Sequence, residues 1–143
     1  MAEQLHWEDV AEGTQVAPLG KNATRQQLVK YAGASGDFYQ IHYDKDFALD
    51  NGLPGQIIHG ALKSAWLGQL LSEWIGEEGS IKSYGCSYRG MDVPDEDLVC
   101  TGTVTKKYVE GDEHLVACDI WVENSKGDKT TPGTAVVALP SKG

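Results

Sequence analysis

The stretch LPGQIIHGALKSAWLGQLLSEWIG, Leu53 to Gly76, decides the fold. Leu62, Ala65, Trp66, Leu70, Trp74 and Ile75 recur at three- and four-residue spacing, the period of a helix with an apolar stripe. Polar groups are confined to Lys63, Ser64, Gln69, Ser72 and Glu73. A helix this apolar, with so narrow a polar flank, is expected to be wrapped on most sides by other structure. His59 and Gly60 stand at its N-terminus, where backbone N–H groups lack partners and the helix dipole favours negative charge.

The wrapping comes from the segments that follow. SIKSYGCSYRG, EDLVCTGTVTKKYV, EHLVACDIWVEN and KTTPGTAVVALP read as strands, separated by MDVPD, EGD and SKGD turns. Val116, Cys118, Ile120 and Val122 alternate with Ala117, Asp119, Trp121 and Glu123, the two-faced pattern of an antiparallel strand. Upstream, Thr24 and Gln27 have capping-box spacing, and Leu28, Val29, Tyr31 and Ala32 supply the apolar face of a first helix. Gly33 and Gly36 are expected to end it, placing Asp37 at the start of a loop. A short second helix is expected from Asp44 to Leu49, stopped at Asp50 to Gly52. The order of helices, one buried helix and a strand meander gives an α+β fold, a curved antiparallel sheet wrapped around the long central helix.

At 143 residues, with no repeat, linker or low-complexity tract, the chain is expected to form one domain spanning 1–143. A formal charge of −9 opposes a nucleic-acid partner, because phosphate binding needs a basic surface. An anionic substrate would have to be met locally. The chain has neither a signal-peptide pattern nor an apolar run able to span a bilayer, so a cytoplasmic location without membrane insertion is expected. Cys86, Cys100 and Cys118 have no CxxC spacing and an odd count, which reads as reduced, half-buried thiols.

The loop SGDFYQIHYDKDFA, Ser35 to Ala48, holds Asp37 and His42 in an aromatic setting. Two readings of the pair are open. Histidine titrates near neutrality, and desolvation can raise a carboxylate toward it, so the two could share a water and pass its proton. Alternatively, Asp37 caps a turn and His42 fills a niche with one satisfied nitrogen. The helix start at His59 and Gly60 favours the first, since glycine lets a ligand approach the backbone and preorganised N–H donors can receive a developing enolate oxygen. Reversible addition of water to an α,β-unsaturated thioester needs both parts, and it needs no metal, flavin or nucleotide.

On YAGASGDFYQIHYDKDFA and LPGQIIHGALKS the chain resembles the MaoC-like hydratase/dehydratase family, the R-specific enoyl-CoA hydratases of the hot-dog fold. The resemblance implies that Asp37 and His42 hold the water added to a trans-2-enoyl thioester, giving an (R)-3-hydroxyacyl product, or act in reverse as a dehydratase. It implies that Gly60 offers its N–H to the thioester oxygen, and that the substrate is an acyl-CoA or acyl-carrier-protein thioester. It also implies a homodimer, or a heterodimer with a related hot-dog chain. The family's Asn-Pro is Tyr39-Gln40 here, and a serine that some members carry along the central helix falls at Gly68. Relatives with altered loops include enzymes for bulky, steroid-sized acyl groups and mixed pairs. A subunit that shapes an acyl tunnel for a catalytic partner, and a hot-dog thioesterase, are the two other readings.

Other residues have plainer expectations. A metal at Asp37, His42 and Asp44 lacks a second histidine at helical or strand spacing. His6 and His114 read as surface residues, and Trp66 and Trp74 as core. Lys82 and Arg89 read as solvated charges that could meet CoA phosphates. Tyr39 is either a pocket wall or an added donor to the substrate.

Overall fold

The computed structural model describes residues 3–143. Five antiparallel strands form one sheet in the order β1-β3-β4-β5-β2: β1 (Gln15–Lys21), β2 (Ser80–Cys86), β3 (Leu98–Glu110), β4 (Glu113–Glu123) and β5 (Lys129–Leu139). Between β1 and β2 run α1 (Arg25–Ser35), α2 (Lys45–Asp50) and α3 (Gly60–Ile75), so the chain crosses from one sheet edge to the other through the long helix. Leu62, Trp66, Leu67, Leu70, Leu71 and Ile75 of α3 are buried in one cluster with Val16, Leu98, Val104, Val116, Ile120, Val122 and Val137 of the sheet. The expected α+β arrangement of a sheet around the central helix is the one observed.

The strand alternation in β4 holds: Val116, Cys118, Ile120 and Val122 are buried, while Asp119 faces solvent. β1 is the element the sequence reading did not assign. Its pairing with β3 is interrupted between Val16 and Leu19, around Pro18, and a proline can join a strand only at an edge or a bulge. The strand expected from Ser80 to Gly90 stops at Cys86. Opposite its end stands Pro132, whose carbonyl accepts from Ser87 N at 2.8 Å, but which has no N–H to return. The regular ladder therefore ends, and Ser87 to Gly90 form a wall that stays tied to β5 through Arg89 N and Gly90 N, both donating to the Thr130 carbonyl at 2.9 Å.

Thr24 caps α1 by accepting from Gln27 N at 3.1 Å. Gly33 lies inside that helix. Gly36 ends it, in the left-handed conformation with φ 79° that glycine adopts without strain. Val29, expected on the apolar face, is exposed. Among the described residues the three cysteines form no disulfide; Cys100 and Cys118 are buried, and burial pushes both thiols up to about 12. His6 and His114 are half-buried, His114 meeting the Trp7 ring edge-on at 5.3 Å. Among the described residues no helix is long and apolar enough to cross a membrane.

Candidate active site

The end of α1 delivers Asp37 into a loop, and a short 3-10 turn, Gln40–His42, carries the histidine. Asp37 uses its two oxygens differently. Oδ1 accepts from Tyr39 N at 3.3 Å and so shapes the turn, while Oδ2 lies 3.6 Å from His42 Nε2. The turn reading thus holds for Oδ1, while Oδ2 is left facing His42. The His42 Nδ1 partner is the Ile57 carbonyl at 2.8 Å, which can only accept, so Nδ1 carries the proton and a neutral ring presents its lone pair at Nε2. A lone pair facing a carboxylate oxygen at that distance is a place for a bridging donor, and water can donate to both.

The setting differs from expectation in one respect. The His42 side chain is 9% exposed, but that of Asp37 is 49% exposed, so this carboxylate is not desolvated by the chain itself. Tyr39 stands beside the pair as a half-exposed ring, edge-on to His42 at 6.4 Å and to Phe47 at 6.0 Å.

His59 comes to the same place from the N-cap of α3. Its ring stacks on His42 with centroids 3.8 Å apart and planes at 18°, and its Nε2 donates to the Asp37 carbonyl at 3.3 Å. Burial first, and the neighbouring His42, hold its pKa below the usual histidine value, which favours the neutral ring. Nδ1 is then a lone pair. It is the buried side-chain nitrogen or oxygen without a hydrogen-bond partner among the described residues. The second histidine that local spacing lacked is therefore supplied by the fold: Asp37, His42 and His59 bring ligand atoms within 4.8 Å of one another. The stacking argues against a shared ion, because a metal lying in the plane of one ring is displaced from the plane of the other.

Beside His42 opens a cavity of about 300 Å³ lined by Ile57, Ile58, Gly60, Lys63, Tyr88, Arg89, Gly90 and Met91. By helix geometry, the first N–H groups of α3, beginning at Gly60, have no intrahelical acceptor. Gly60 also fits closely: a Cβ there would meet three Tyr88 ring carbons at 3.0 to 3.1 Å, so the ring would have to give by a few tenths of an ångström. A Cβ at Gly68 would lie 2.8 Å from the Tyr84 hydroxyl, which donates to the Ser64 carbonyl at 3.2 Å, so Tyr84 takes the space that a serine side chain at that position would need.

Trp66 is buried and Trp74 half-buried against the core, as expected. Lys82 pairs with Glu113 on the surface at 2.8 Å, whereas Arg89 lines the cavity. The sequence reading missed Lys63. It was assigned to a polar flank, yet it is buried against Asp92.

An antiparallel sheet curled around one helix is the hot-dog architecture, and the solved (R)-hydratase from A. caviae involved in PHA biosynthesis superposes with a TM-score of 0.82 at 22% identity, covering 93% of this chain and 99% of that one. Residues 9–124 match the family model of the MaoC like domain, and the chain belongs to that family. An (R)-specific enoyl-CoA hydratase of Rhodospirillum rubrum is 27% identical over 146 residues, 97% of this chain and 95% of that protein. The fatty acid synthase beta subunit TOXC of Cochliobolus carbonum is 39% identical over 70 residues, 48% of this chain. The match spans 3% of the length of that subunit.

Proposed function

We propose that the chain is an (R)-specific enoyl-thioester hydratase/dehydratase, which adds or removes water across the C2=C3 bond of an acyl-CoA or acyl-carrier-protein thioester. The observation that carries this is the pair of facing acceptors, His42 Nε2 and Asp37 Oδ2, 3.6 Å apart beside the cavity that Gly60 lines. Water bridging them loses a proton to the pair as its oxygen bonds to C3. Electron density moves to the thioester oxygen, which the Gly60 N–H stabilises, and the proton returns to C2. His59 supports this indirectly, since its neutral ring packs flat on His42 and holds the Asp37 backbone. No resident metal or organic cofactor takes part in this scheme, so chelation with EDTA is expected to leave the rate unchanged.

The test is a panel of trans-2-enoyl-CoA esters, short, medium and steroid-sized, followed by loss of conjugated enoyl absorbance. Turnover of at least one ester is expected; thiol release from a saturated acyl-CoA without hydration would replace this reading with a thioesterase. Gly60→Ala should lower the rate, by up to about 10²-fold, by shifting the Tyr88 ring a few tenths of an ångström at the cavity wall. Its urea midpoint should stay close to wild type, because the half-exposed Tyr88 can swing outward.

One observation favours an assembly in which a second hot-dog chain, identical or related, completes the site. Phe38, Tyr39, Tyr88 and Met91, all near the pair or the cavity, are 55 to 58% exposed. Large apolar groups exposed together mark a surface that another chain or the substrate covers. A chain that binds CoA esters without turnover, and gains it on adding a partner, would identify this subunit role.

A further inference from the structure

The first turn of α3 carries a lysine, the wrong charge for that place. The N-terminal dipole opposes a cation, and burial adds a desolvation cost. Lys63 is nevertheless only 2% exposed. Its ammonium donates to Asp92 Oδ2 at 3.0 Å and to the Gly90 carbonyl at 3.1 Å. The same Oδ2 accepts from Thr130 at 2.6 Å, and the Asp92 carbonyl accepts from Ile58 N at 2.8 Å. A buried feature that breaks a local rule in this way is where a functional reason is to be sought.

Of the two charges, Lys63 lines the cavity. Asp92 shares its Oδ2 between Lys63 and Thr130 and stands outside the lining, which Lys63, Arg89 and His42 join; Asp37 adds its charge beside it, 3.6 Å from His42. The pair is thus a fixed ion pair beside the cavity, its lysine in the lining and its carboxylate outside it, in a chain of formal charge −9. An ammonium has three N–H donors, and the two bonds named leave one over. Through Gly90 and Asp92 the same side chain grips both ends of the Gly90–Asp92 stretch, which continues the wall formed by Tyr88 and Arg89.

We propose that Lys63 is a positioning residue: anchored by Asp92, it holds the Tyr88–Met91 wall against the first turn of α3 and turns a fixed positive charge toward a thioester oxygen bound at Gly60. This rests on the enoyl-thioester reading of the site. The test compares wild type with Lys63→Arg, Lys63→Met and the double variant Lys63→Met/Asp92→Asn, which removes the ammonium without stranding a carboxylate. Each is measured for kcat and KM on an enoyl-CoA ester, for urea midpoint, and for amide exchange across Tyr88 to Met91.

The double variant should fold, exchange faster in that segment and lose kcat on the order of 10²-fold with little change in KM, the mark of an interaction realised in the transition state. Lys63→Arg should recover part of the rate. A double variant with wild-type kcat, whatever its urea midpoint, would reduce the pair to a structural one and overturn the proposal. If wild type hydrates no enoyl ester, the functional reading fails by itself. The exchange arm then still decides the positioning claim, which unchanged exchange would overturn.

Discussion

His42→Ala and Asp37→Asn are each expected to lower the hydration rate by about 10²- to 10⁴-fold, the range for removing a positioned acid–base group. The two substitutions probe different halves of the geometry. In Asp37→Asn the amide retains an oxygen for Tyr39 N, so the turn that Asp37 shapes at 3.3 Å survives while the charge facing Nε2 is lost. Because the Asp37 side chain is 49% exposed and asparagine keeps its shape, the fold should be unaffected. His42→Ala removes both the Nε2 lone pair and the ring that stacks on His59 at 3.8 Å, so its urea midpoint must be measured beside its rate. If the two groups share one water, the double variant should be about as slow as the slower single one, because residues acting as a unit are not additive. Two folded variants within a few-fold of wild type would instead assign Asp37 and His42 to the turn alone.

What the sequence disclosed depended on whether the cause was local. The α3 stripe and the β4 alternation were legible because burial of one face imposes a period on neighbouring residues. The proximity of Asp37 and His42 was legible because one short loop carries both. β1 was not, because Pro18 and the irregularity between Val16 and Leu19 destroy the period of two that marks a strand. His59 was placed at the helix start, but its stacking on His42 arises only when α3 docks beside the 3-10 turn. Lys63 carried one local signal, a cation in the first turn of a helix, but none of its burial. Its partner Asp92 belongs to MDVPD, which reads as a turn, and only the closed sheet brings Thr130 to the same carboxylate.

Asp92→Ala is expected to destabilise the fold by about 3 to 5 kcal/mol, the cost of leaving a buried charge without its partner. The urea midpoint should fall, with an unchanged slope if the denatured state is unaltered. The surface pair Lys82–Glu113 is the internal control. Its nitrogen–oxygen distance, 2.8 Å, is if anything shorter than the 3.0 Å of Lys63–Asp92, so distance alone ranks it the stronger. Solvent reverses that ranking. The Lys82 and Glu113 side chains are 42% and 47% exposed, and Glu113→Ala should cost about 0 to 1 kcal/mol because water replaces the lost partner. Lys63 and Asp92 are 3% and 2% exposed at the side chain, and there water cannot do so. Replacing both by apolar residues of similar volume should recover most of the stability that Asp92→Ala loses, and can exceed wild type. A pair dispensable for folding once both charges are gone would be retained for something other than stability, as a role in setting the cavity wall requires. An Asp92→Ala variant that unfolds at the wild-type urea midpoint would show that the ammonium finds water at this site, and the argument from burial would fail.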